Sequence, residues 1–172
     1  MSLYAFSIPT YQQILGGMLN VMDKTIAHVA AKKYDPASVL ADRLFPDMFD
    51  FTKQVQSFTD HAARSSLLLS GKDGAQPARD EKTLEALRER VAKALAVVNS
   101  VSAADVDAHA DKDVTFPMGP RQVTMKGKDY MMHFAVPNFY FHATTAYDIL
   151  RHRGVEIGKR DFLGVVPGMP KA

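Results

Sequence analysis

The sequence predicts an all-α fold, a bundle of long helices in a single domain over residues 1–172. Three observations carry this. Apolar residues recur at three- and four-residue steps in four separate segments, glycine and proline gather between those segments, and β-prone runs are confined to one short stretch. In the first segment, residues 7–31, Leu15, Met18, Leu19, Met22, Ile26 and Val29 form one apolar stripe, with Ser7 or Thr10 as the expected cap. The stretch KKYDPASVLADRLFPDMFD holds two prolines and reads as a long connection with a short helical turn at 37–44. From Met48 the spacing of Phe51, Val55, Phe58, Ala62 and Leu69 restores a helix that stops near Ser70, before SGKDGAQPARD.

A third helix opens at Asp80 or Thr83 and runs through Leu84, Leu87, Val91, Leu95 and Val98 to residue 99. Its acidic residues come early and its basic residues later, as the helix dipole favours. The segment SAADVDAHADKD reads as a polar connection, and VTFPMGPRQVTMKG as a hairpin around Met118-Gly119-Pro120, kept short by Pro117 and Pro120. The last helix is expected in two pieces, 129–135 and 137–153, with Pro137 in a first turn and Gly154 at the C-terminal cap.

With 47% hydrophobic residues, 172 residues suffice for one core without covalent staples. Lysine and arginine number 21 against 19 aspartates and glutamates, interleaved along the chain, so no nucleic-acid footprint is expected. The absence of cysteine excludes disulfides, thiolate metal sites and cysteine nucleophiles. The first residues lack the basic start of a signal peptide, and no apolar run approaches the ~18 residues of a membrane span. A cytoplasmic protein that does not engage membranes is expected.

Histidine supplies the candidate chemistry. On the final helix His142 shares a face with Phe139, Ala143, Ala146, Ile149 and Leu150, while His61 stands beside the stripe of the second helix. Helix bundles build metal sites from such inward side chains. A catalytic zinc site needs three protein ligands, and one turn after His142 the chain has Ala146, leaving Asp60, His133 or Asp148 to complete a set. The same pair also reads as neutral, hydrogen-bonded core histidines. His152 can pair with Asp148 four residues earlier, and His28 and His109 carry no functional expectation. Tyr140 and Tyr147 are pocket candidates, since their hydroxyls could orient a bound group. No glycine-rich phosphate loop and no nucleophile elbow occurs.

The stretches SIPTYQQILGGMLNVMDKTIAHV, FTKQVQSFTDHAARS and PNFYFHATTAYDILRHRGVEIGKRDFLG resemble an uncharacterised bacterial domain family of the DinB/YfiT-like superfamily, over nearly the whole chain. The resemblance implies a DinB/YfiT-like four-helix bundle with a long crossover between helices 1 and 2, in a bacterial cytoplasmic protein that forms a homodimer. Metal-binding members carry one histidine on helix two and an H-x-x-x-H pair on the last helix. His61 and His142 match the first two positions, and Ala146 falls on the third. Three functions follow as expectations: a helical-bundle protein with a degenerate histidine site and no demonstrated activity; a hydrolase or transferase using nickel, zinc or manganese on His61 and His142; or a module binding a small-molecule ligand.

Overall fold

The computed structural model describes residues 2–169. Its elements are α1 (Leu3–Lys32), α2 (Pro36–Ala41), α3 (Phe51–Leu69), α4 (Leu84–Asn99), α5 (Ala103–Ala108), β1 (Asp113–Met118), β2 (Arg121–Lys126), α6 (Gly127–Tyr130), a π-helical turn (Met131–Ala135), α7 (Val136–His152) and α8 (Lys159–Leu163). Four long helices make the body: α3 lies between α4 and α7, and α1 packs along α4 and touches α7. Between them sit Leu15, Met18 and Met22 of α1, Phe58 of α3, Val91 of α4 and Phe139 of α7, each fully buried. Phe139 meets Tyr11 and Phe58 edge-on, at 4.7 and 6.1 Å between ring centroids.

Side-chain caps set where the helices begin. Asp50 accepts from the Lys53 amide at 2.8 Å to open α3, and Thr83 accepts from Ala86 at 3.1 Å to open α4. The first helix starts earlier than its periodicity suggests. Ser2, rather than Ser7 or Thr10, is the cap, and the helix runs through Pro9. Its first turn is held from outside, because the Tyr4 amide donates to Asp107 at 2.9 Å. That contact comes from α5, a helix within the stretch expected to be a polar connection. Ser102 caps α5 and Val106 is its buried anchor. The helical turn expected at 37–44 is α2, opened by Asp35 and stopped at Ala41.

The last helix is one continuous run rather than two pieces. At Met131–Ala135 it widens by one residue, the Val136 amide bonding back to the Met131 carbonyl five residues earlier. Proline cannot donate, and its ring would strike the carbonyl one turn back. A wider turn just before Pro137 relieves that conflict without ending the helix. The β1–β2 hairpin pairs Asp113 with Lys126 through to Met118 with Arg121. Its Phe116 is buried against Tyr130 and Phe134 at 4.4 and 4.7 Å, so the hairpin braces the π turn. Among the described residues, no helix is long and apolar enough to cross a membrane.

Candidate functional site

Gln54 and His61 are seven residues apart on α3, two turns and about 20° of rotation, so both face α7. His142 comes down from α7 to meet them. The two imidazoles lie nearly parallel, 11° apart in plane and 5.8 Å between centroids. Nδ1 of His142 is 2.7 Å from Oε1 of Gln54, whose amide nitrogen donates to the Phe49 carbonyl at 3.2 Å. That second bond fixes which end of the amide faces the ring. The oxygen faces His142, so Nδ1 carries the proton and Nε2 presents a lone pair.

Aromatic rings enclose the pair. Phe49 lies nearly parallel to His142, at 6.1 Å and 13°, and Phe141 meets it edge-on at 5.3 Å. Phe134, on the π turn, meets His61 edge-on at 5.6 Å. Phe49 and Phe141 remain 45% and 56% exposed, so the His142 end of the pair opens on an apolar rim. Burial lowers the His61 pKa to about 3, helped by the charges on His142, Arg64 and Arg79. Burial and Arg79 lower that of His142 to about 4. Both rings are therefore neutral at neutral pH.

Asp60, one residue before His61, points the other way, toward α4. One of its oxygens accepts two bonds from Arg79, at 3.0 and 2.7 Å, and the other accepts from Arg90 at 2.5 Å. Arg90, with only 3% of its side chain exposed, also donates to Glu81 at 2.5 Å, Thr59 at 3.0 Å and the Ala78 carbonyl at 2.8 Å. This network straps the segment after α3 onto α3 and α4. Sequence reading missed Gln54, although its seven-residue offset from His61 was a usable signal. It also missed Arg79, which lies in an irregular segment where no periodicity shows what a side chain faces.

The other expected site residues stand elsewhere. Tyr140 is more than one-third exposed, with its hydroxyl against Thr10 of α1, and Tyr147 packs edge-on against Phe162 of α8 at 5.6 Å. His133 is exposed, and Asp148 lies about 120° round α7 from His142. His152 is exposed beside a cleft lined by Asp42, Arg43 and Arg153. His28 packs against Tyr34, and His109 bonds the Asp105 carbonyl at 2.7 Å. A cavity of about 370 Å³ lies between α3, α4 and the segment 76–82, lined by Ala63, Pro77, Ala94 and Val97 with Asp60 and Arg90 at its polar end. The histidines do not line it, and the ionic groups at that end already satisfy one another.

A match to the domain of unknown function DUF1993 covers residues 3–163. The chain belongs to that family. The crystal structure of a DinB family member protein from Shewanella denitrificans is similar to it, with 36% sequence identity and a TM-score of 0.85 over 98% of this chain and 96% of the other. No curated protein matches. The divalent metal that a DinB-like fold implies is poorly served by the donors of this DUF1993 chain. Ala146 occupies the third position, fully buried, and both oxygens of Asp60 are taken by guanidinium groups. Among the described residues, no group of three or more histidine, cysteine, aspartate or glutamate side chains is placed to hold a metal ion.

Proposed function

We propose that this protein is a non-catalytic, small-molecule-binding member of the DinB-like group, in which a degenerate histidine site has become a neutral hydrogen-bonding site. The observation that carries the reading is the fixed tautomer of His142. Gln54 and the Phe49 carbonyl commit its Nε2 to accepting a hydrogen bond, at a ring that stays uncharged at neutral pH. A lone acceptor among aromatic side chains suits the recognition of a small ligand. The cytoplasmic homodimer implied by the resemblance belongs to the same proposal.

The test is elemental analysis of untagged protein purified without chelators, followed by titration with zinc and with nickel. Less than one-tenth of a transition metal per chain, and no tight uptake of either ion, is the expected result. Near-stoichiometric metal that is lost in His61→Ala and His142→Ala, with folding intact, would overturn the reading. It would favour instead a metal-dependent hydrolase or transferase built on those two histidines.

A further inference from the structure

The ligand's chemistry can be narrowed from two features of the site, given the ligand-binding reading above. The first is polarity. With Nδ1–H committed to Gln54, His142 offers only the Nε2 lone pair, so it selects groups that donate a hydrogen bond and gives nothing to a carbonyl, ether or carboxylate. The second is surface. Phe49 and Phe141, one parallel and one perpendicular to the His142 ring, leave about half of their area in solvent, with the exposed Lys53 ammonium 5.8 Å over Phe49 as the group a ligand would displace there. Exposed rings beside an unclaimed acceptor gain most from a flat partner that covers them.

We infer that the histidine site binds a hydroxyaromatic molecule, its hydroxyl donating to Nε2 of His142 and its ring packed on Phe49 and Phe141. No bond is made or broken in this step; the hydroxyl exchanges a water partner for an imidazole.

The experiment titrates the full chain at pH 7 with 2-naphthol and with 2-methoxynaphthalene, which keeps the rings and loses the donor. Naphthol should bind at least tenfold more tightly. His142→Phe, which keeps the apolar bulk, should bring the two affinities together, and Phe141→Ser should weaken both alike. Nitrogen-15 histidine spectra of the wild-type protein supply a readout independent of any variant's folding. The Nε2 resonance of His142 should move with naphthol and stay in place with the ether. Equal affinities, or an Nε2 resonance that ignores naphthol, would overturn the inference. Cyclohexanol moving that resonance as far as naphthol does would also overturn the aromatic class, while leaving the ligand-binding reading standing. Silence toward all three compounds, together with stoichiometric zinc binding, would overturn both.

Discussion

At the scale of single residues, the site depends on a division of labour between neighbours on α3. His61 faces α7 and stays neutral, while Asp60 faces α4 and carries a full charge matched by Arg79 and Arg90. Arg90 is the more exacting partner, because a guanidinium with 3% of its side chain exposed has no water to fall back on. Asp60→Ala leaves Arg90 with Glu81 as its remaining carboxylate, so the loss is that of charge-assisted hydrogen bonds, about 1.5–3 kcal/mol, rather than of a fully stranded charge. It should lower the melting temperature by roughly 3–12 °C at a size of 150–250 residues, readable by calorimetry. Exchanging an exposed pair such as Lys93 and Glu89 for alanines should change it by a degree or two at most.

At the scale of elements, the tail shows how a small residue decides a docking geometry. α8 lies along α1, held by Gln13 donating to the Leu163 carbonyl at 3.0 Å and by Asn20 and Lys24 on Asp161 at 2.9 and 2.6 Å. The close approach falls at Gly17, where a Cβ would stand 2.2 Å from the Phe162 carbonyl oxygen. Backbone cannot swing aside as a side chain can. Gly17→Ala should push α8 off α1, increasing amide exchange and proteolysis after residue 157 while α3 and α7 stay protected. An unchanged exchange pattern would mean that the approach is looser than described. Gly16→Ala is the matched control, since nothing lies within 4 Å of a Cβ there and alanine is the better helix former.

At the scale of the whole molecule, the histidine pair makes stability depend on pH. Each ring has an ordinary pKa of 6.5 and a folded value lowered to about 3 at His61 and about 4 at His142. As pH falls below 6.5 the unfolded chain takes up protons that the folded chain refuses, so the stability present above that pH is progressively lost. Glu81 joins only lower down, since its burial is outweighed by hydrogen bonds from Arg90 and Gln56 that hold its carboxyl below the ordinary 4.5. The melting temperature should fall between pH 6.5 and 4.5, and a His61→Gln, His142→Gln double variant should flatten that part of the curve. A wild-type melting temperature level across the window would show that the rings protonate freely in the fold.

The sequence carried the long helices, most of their ends, the hairpin and the inward direction of His61 and His142, because apolar periodicity and capping chemistry act within a few residues. It also carried Ala146 one turn after His142. It misplaced the start of α1 at Ser7 or Thr10, because the cap, Ser2, lies ahead of the apolar stripe and the first turn is held by Asp107 of α5. It split the last helix at Pro137 because a π turn has no local signature. Packing alone made the histidines stack, set the polarity of His142 through Gln54, and brought Arg79 from an irregular segment onto Asp60. A helix can be read from neighbours three and four residues away, whereas a tautomer, a lowered pKa or a buried ion pair depends on groups that chain packing alone brings together.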